Sequence, residues 1–398
     1  MVGVKVRYVY RLRVSKTNQR ALTAEAVRCR WVWNQCVGRS RDLFAEQTPS
    51  GPATLDRELT DWRQDDSRRG EWLRAGSSVA QQQTIRDFAA ARTKALKDIK
   101  NQVPGSRRRG LPTFHSKRTA LPSMNYTRSG FKINNDRRLV LAGGIDLPVV
   151  WSRELPSAPT SVRVFQDPVG HWYASFVVDV EYASLPATGE TIGVDWGVSA
   201  IATTTDPAFD LPHRQRGKSA APKLRQAQRR IARRRPPRGV KGSVGYQQAK
   251  AETARLYAKV ARQRQDDTRK WAVAVVRAHD QIAVEDFKPK FLAKSTMARK
   301  AADAAIGATK RELIWQAVKT GRDLRLVDPG YSTMDCGDCG ARAKHRLPLS
   351  ERTYTCTACG STRPRDRNSA TVMVARAGFS PASADRIRLE PPPVERAA

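Results

Sequence analysis

The chain has 398 residues, 40% of them hydrophobic, which suffices for two or three domains with proper cores and excludes a disordered polyelectrolyte. Its 72 Lys and Arg against 38 Asp and Glu leave a formal charge of +34, an excess that self-repels in a compact fold unless a polyanion neutralises it. A nucleic-acid partner is therefore expected and a membrane one is not: no stretch approaches the roughly 20 apolar residues of a span, and Met1 to Val14 lacks the apolar core of a signal peptide, so the protein should be cytoplasmic.

Val4, Val6, Tyr8 and Tyr10 alternate with Lys5, Arg7 and Arg11, the period of a strand with a basic outer face. Ser15 or Thr17 can cap the helix that follows, on which Leu22, Ala26, Cys29, Trp33 and Cys36 recur at helical spacing. Cys29 and Cys36 share its buried face and read as core thiols. A short helix near Leu55 to Arg63 and a longer one from Ser78 to Lys100 complete a helical lobe over 15–104. After the basic loop at Arg107, the runs Leu139–Leu141, Val149–Trp151, Ser161–Phe165 and Trp172–Val180 are β-rich, with Asp167–Gly170 turning between the last two. With residues 1–14 they predict a small β-barrel over 105–185, closed by the N-terminal strand. The short Pro/Gly stretch Leu185 to Gly189 marks the main boundary.

Beyond it, Ile192 to Thr203 predicts a buried strand and a second, and Ile282–Val284 and Leu324–Val327 further strands. From Pro222 to Lys270 the chain reads as a basic helical hairpin broken at Pro236-Pro237. Six arginines within Arg225 to Arg235, among them Arg229, Arg230, Arg233, Arg234 and Arg235, have no acid in that run to pair them, which points to phosphate contact without sequence preference. The helix after Asp366 is expected to use Thr371, Val372 and Ala375, and the Pro-rich tail at 379–398 to be disordered.

Two constellations carry chemistry. Asp195 in Gly193-Val-Asp195-Trp-Gly, Glu285 in Val284-Glu285-Asp, and Asp366 in Arg365-Asp366-Arg-Asn368 each place a carboxylate at the edge of an element. Converging on one point, they would hold two hard cations, Mg²⁺ or Mn²⁺, for phosphodiester hydrolysis, with Gly197 letting an entering phosphate come close. Asp286 should face away from its neighbour Glu285 and stays outside that set. Cys336-Gly-Asp-Cys339 and Cys356-Thr-Ala-Cys359 are separated by 16 residues, and a Gly follows each pair. That is zinc-ribbon spacing, and four thiolates leave no open position, so a structural Zn²⁺ is expected over 334–361. Lys344, Arg346 and Arg352 decorate this ribbon and suit nucleic-acid contact.

From about Val4 to about Ala377 this order of elements resembles the TnpB family, transposon-encoded RNA-guided DNA endonucleases related to miniature type V CRISPR effectors. The likeness rests on Val6–Leu12, Cys29-Arg-Trp-Val-Trp-Asn, Gln82-Gln-Thr-Ile-Arg-Asp-Phe, Gly193-Val-Asp195, Val284-Glu285-Asp, the two cysteine pairs and Arg365-Asp366-Arg-Asn368-Ser-Ala. The resemblance implies an α+β multidomain protein, an N-terminal β-barrel with an inserted helical lobe and then an RNase H-like (RuvC) α/β nuclease domain at 190–333 and 362–378 with an inserted zinc ribbon. It implies Asp195, Glu285 and Asp366 as the catalytic acids, a guide RNA and double-stranded target DNA as partners, and a short flanking motif read by the first lobe. Gln82, Gln83, Thr84 and Tyr126 are the candidates for that reading surface. It further implies a nucleoid-associated protein of a prokaryotic cell, monomer or homodimer. Trp196, Pro364, Asp335 and Asp338 depart from the family's usual residues without removing a metal ligand. The alternatives are an RNA-guided DNA-binding repressor with an idle nuclease, or a resolvase or transposase needing no guide.

Overall fold

A computed structural model describes residues 4–47, 51–116, 120–237, 239–348 and 350–379, so the tail expected at 379–398 lies, but for its first residue, outside the described residues. The chain divides into two compact units at Glu181 and Tyr182. The first contains β1 (Val4–Leu12), the helices α1 (Lys16–Ala45), α2 (Pro52–Gln64), α3 (Arg68–Arg74) and α4 (Ser78–Lys100), then β2 (Ser123–Thr127), β3 (Phe131–Ile133), β4 (Arg138–Leu141), β5 (Ile145–Val150), β6 (Ser161–Gln166) and β7 (Trp172–Val180). Along β1, Tyr10 and Leu12 are buried while Lys5, Arg7, Val9 and Arg11 are exposed, the alternation a one-sided strand requires.

The seven strands form one antiparallel sheet in the order β2-β6-β7-β1-β5-β4-β3. Its two edge strands are consecutive in the chain, linked by a single 3-10 turn over Arg128–Gly130, so the sheet curls until its edges nearly meet. The barrel-like sheet is thus present, with β1 central in it: β1 pairs with β7 from Val4 to Arg11 and with β5 at Arg11 and Leu12. Ser15 caps α1, its hydroxyl accepting from the Asn18 N–H at 3.1 Å. The first half of α1 lays Leu22, Ala26 and Cys29 against the sheet, and its second half lays Val32, Cys36 and Val37 against α2, α3 and α4. The two cysteines therefore sit in different clusters, and burial pushes each thiol up to about 12.

The second unit contains β8 (Thr191–Trp196), β9 (Ala200–Thr204), β10 (Leu211–Pro212), α5 (Arg216–Arg233), α6 (Val244–Ala278), β11 (Gln281–Glu285), α7 (Ala298–Ala304), α8 (Ile306–Thr320), β12 (Asp323–Val327), β13 (Thr353–Thr355), β14 (Thr362–Pro364) and α9 (Arg365–Arg376). The stretch 185–189 is hydrogen-bonded into it, the Thr188 and Gly189 N–H groups donating to Asp280. Its sheet runs β10-β9-β8-β11-β12, antiparallel among the first three and parallel from β8 through β11 to β12. Ile192, Val194, Trp196, Ile282 and Val284 face α6 and α8, where they meet Trp271, Val275, Val276 and Leu313. Ala283 and Val327 face α9 and meet Val372, Met373 and Ala377.

Strand parity then puts Gly193, Asp195 and Glu285 on the α9 side of the sheet. The buried stripe of α9 is Ser369, Ala370, Val372, Met373 and Ala377, and Ala375 is exposed, which corrects the expected register. The basic hairpin is longer than the sequence suggested, with Pro222 tolerated in the second turn of α5. Among the described residues no helix is long and apolar enough to cross a membrane.

Candidate active site and thiolate centre

Asp195 and Glu285 are lateral neighbours. β8 and β11 run parallel with Val194 opposite Val284, so the next residue on each strand is a carboxylate on the same face, about 4.8 Å apart at the backbone. The third acid arrives through a glycine. A Cβ built on Gly193 would stand 2.0 Å from the Ala370 carbonyl oxygen, so only Gly lets α9 lie directly on β8. Asp195 lies two residues up the strand, about 6.6 Å on, and Asp366 one turn up the helix from Ala370, about 6 Å on, which brings both to the same end of the sheet. There Asp366 also meets the positive end of α9.

The electrostatics reflect this crowding. Asp195 is densely surrounded though its tip keeps some solvent exposure, and its carboxyl is pushed well above the usual range by desolvation first, then by the charges of Glu285 and Asp366. Glu285, 7% exposed, is pushed up to about 7, chiefly by desolvation, against the stabilising Trp196 N–H and Lys310. The charges of Glu285 and Asp366 both bear on Asp195, and the three side chains offer only oxygen donors, the chemistry a hard divalent cation takes. Arg365 and Arg352 approach Asp366 at 3.5 and 3.9 Å.

Trp196 holds Glu285 twice: its backbone N–H donates to the carboxylate at 3.2 Å and its indole Nε1–H to the Glu285 carbonyl at 3.1 Å. The ring is buried against Trp271. Trp196, a departure from the residue usual in the family it resembles, is thus a clamp on Glu285. Asp286 turns away to Lys310 and Lys288, as strand parity required. Gly197 permits the tight β8–β9 turn, where a Cβ would lie 2.8 Å from the Ala200 carbonyl oxygen. Gly193, two residues before Asp195, is where the α9 backbone comes close to the strand.

The four cysteines come together, all ligand atoms within 4.8 Å of one another. Cys336 and Cys359 sulfurs are 3.7 Å apart and those of Cys339 and Cys356 3.6 Å, close to the roughly 3.8 Å edge of a tetrahedron with metal–sulfur distances of about 2.3 Å. Each knuckle turns on a left-handed glycine, Gly340 at φ +73° and Gly360 at φ +75°. Backbone N–H groups at the second knuckle lower the Cys356 thiol to about 6, while the sulfurs of Cys339 and Cys356 outweigh a backbone N–H and push Cys359 up to about 12, so without a cation the negative charge gathers on Cys356. The cluster fits zinc. Its first knuckle is locked to α9: the Gly337 N–H donates to Asn368 Oδ1 at 3.0 Å, and Asn368 Nδ2 donates to the Asp335 carbonyl at 2.7 Å. Asp335 is paired by Arg342 and Arg376, and Asp338 by Arg363 and Ser361. These acids brace the knuckle rather than acidify it, and β14 runs into α9 with no linker, two residues before Asp366.

The nucleic-acid candidates divide. Arg229, Arg233 and Arg235 are exposed on α5 and its end. Arg230 is paired with Glu252 of α6 at 2.7 Å, and Arg234 donates to the Gly245 carbonyl at 3.2 Å; the acid missing from the local run comes from the partner helix. In the first unit Gln82 is exposed and Gln83 half-buried, while the Thr84 hydroxyl donates to the Ala80 carbonyl of its own helix at 2.9 Å. Tyr126 is fully buried in the core between α1 and the sheet, so it cannot reach a base edge and leaves the reading surface.

Residues 175–296 match a family model described as "Probable transposase" (OrfB_IS605), and residues 307–373 match "Cas12f1-like, TNB domain". A curated protein of Streptomyces pristinaespiralis named "Putative RNA-guided DNA endonuclease" is 29% identical over 98% of this chain and 93% of its own length. These matches support a protein of the TnpB type. A second relative, "Putative RNA-guided DNA endonuclease InsQ" of Escherichia coli (strain K12), is 25% identical over 87% of this chain and 86% of its own. The solved structure "Cryo-EM structure of the Cas12f1-sgRNA-target DNA complex" covers 93% of this chain and 98% of its own at a TM-score of 0.56 and 12% identity, a likeness of fold.

Proposed function

We propose that this chain is an RNA-guided DNA endonuclease: with a guide RNA it recognises a short motif beside guide-complementary DNA and hydrolyses phosphodiesters at Asp195, Glu285 and Asp366. The observation that carries this is the convergence of those three carboxylates, from β8, β11 and α9, in a chain of charge +34 whose relatives bear that name. The mixed sheet of the second unit, antiparallel through β10-β9-β8 and parallel on to β12, supports an RNase H-like (RuvC) nuclease domain. The first unit, sheet and helical lobe, is assigned to guide RNA and flanking-motif recognition, and the thiolate knuckles to a structural zinc ribbon.

Asp195, Glu285 and Asp366 would hold the cations. Two magnesium or manganese ions bound there would supply activation of the attacking water and stabilisation of the leaving oxygen. Trp196 fixes Glu285 from two sides, Gly193 sets the height of α9, and the ribbon, through Asn368, fixes the helix that carries Asp366. Arg229, Arg233 and Arg235 offer unpaired charge to a phosphate backbone.

The test is co-purification with RNA from the native locus, then incubation with a plasmid carrying a matched target and a randomised flank. Guide-dependent linearisation with Mg²⁺, lost with EDTA and after RNase treatment, is the expected result. Guide-dependent binding without cutting would replace the nuclease with an RNA-guided DNA-binding protein, and cutting that survives RNase would point to a guide-free resolvase or transposase.

A further inference from the structure

Tyr331 lies in the turn after β12 with φ at +61°, a left-handed backbone that Gly or Asn adopts readily and a bulky aromatic rarely does. The turn is held by the Met334 and Asp335 N–H groups, which donate to the Tyr331 carbonyl at 2.8 and 3.0 Å. Packing does not account for a tyrosine there. Its side chain is 59% exposed and belongs to none of the hydrophobic clusters of this unit. Instead the Arg342 guanidinium lies over the ring at 4.3 Å, and Arg342 is itself held by Asp335 at 2.6 and 3.2 Å. The ring is thus fixed through a cation on one face and open to solvent elsewhere.

Its place in the chain is tied to the elements that carry the carboxylates. Val327, the last residue of β12, is the register partner of Glu285, and four residues span at most roughly 14 Å from there to Tyr331. The adjoining Ser332 carbonyl accepts from the Ser369 hydroxyl at 3.4 Å, and Ser369 is within one turn of Asp366 on α9. An exposed aromatic ring braced by a cation at the rim of a phosphodiester site offers a π-face to any base taken out of its stack.

We propose that Tyr331 is a stacking platform for an unpaired DNA base a few nucleotides from the phosphate held at Asp195, Glu285 and Asp366; this rests on the nuclease reading above. Its ligand is single-stranded DNA of any sequence, because every base has a stacking face. The strained backbone is retained for that ring, since glycine would relieve the strain and lose the platform.

The variants Tyr331→Gly, Tyr331→Asn, Tyr331→Phe and Tyr331→Trp test this with guide-loaded full-length protein. The readouts are thermal midpoint, single-turnover cutting, and quenching of a 2-aminopurine placed in single-stranded DNA. The Gly and Asn variants are expected to melt at or above the wild-type temperature yet to bind and cut about five- to 150-fold less well, the span of one stacked base. The Phe and Trp variants should restore both. Gly or Asn variants that cut and quench like wild type, or that melt well below it, would overturn the proposal, as would a Phe variant as poor as Gly. If the wild type cuts nothing, the nuclease reading fails separately, and quenching by wild type and Phe but not Gly still decides the stacking.

Discussion

Gly193→Ala is the most informative single change in the second unit. The added Cβ would stand 2.0 Å from the Ala370 carbonyl oxygen, whereas real contacts of this kind essentially never fall under 3.0 Å, so α9 must withdraw by about 1 Å. The clashing atom is helix backbone, so no side-chain trimming on α9 relieves it. Overpacking of this sort costs about 1–3 kcal/mol. The larger effect is on function, because α9 carries Asp366 and a displacement of about 1 Å in a reacting group costs on the order of 100-fold in rate. Denaturant unfolding should report the first, and single-turnover cleavage of a matched target at fixed Mg²⁺ the second, with guide RNA binding unchanged. Cutting within threefold of wild type would refute the argument that helix height sets the site.

Trp196→Phe keeps the backbone N–H on the Glu285 carboxylate but strands the Glu285 carbonyl in the core, a loss of about 1–3 kcal/mol that a melt should register, with slower cutting. In metal-free protein Glu285 has its pKa raised from 4.5 to about 7, so the folded state binds more protons than the unfolded one between those values. Its contribution to stability is therefore fully present at low pH and lost as pH rises through about 7; melts in EDTA should fall from pH 5 to pH 8, and added Mg²⁺ should recover the difference at pH 8 more than at pH 5. Replacing Arg229, Arg233 and Arg235 together by Ala should weaken RNA or DNA binding evenly across sequences and flatten the slope of log affinity against log salt by roughly 0.7–0.9 for each phosphate no longer neutralised. Arg230→Ala should instead loosen the α5–α6 hairpin through Glu252.

Much of this architecture could be read from local pattern. Ser78 to Lys100 is helical over the span its periodicity marks, and β1 alternates as its valines, tyrosines and basic residues require. The thiolate centre was legible because four cysteines at fixed spacing, each pair followed by Gly, admit few other arrangements. Helix α8 was not, because its N-cap is Ala305, a left-handed residue with no side-chain cap, so no start signal marks it. Tyr126 was misplaced because a tyrosine in a short strand reads equally as surface or core until the strand's partners are known. The pairing of Arg230 with Glu252, the clamp of Trp196 on Glu285 and the seat of α9 on Gly193 all join residues far apart in sequence, where spacing carries no information.

The most direct test of the central claim compares wild type with Asp195→Ala, Glu285→Ala and Asp366→Ala, each loaded with the same guide, for cleavage and for binding of one matched target in Mg²⁺. Each variant is expected to bind the target in a guide-dependent manner and to leave it uncut. Cutting at the wild-type rate by any one of the three, with a contaminating nuclease excluded, would contradict the shared site.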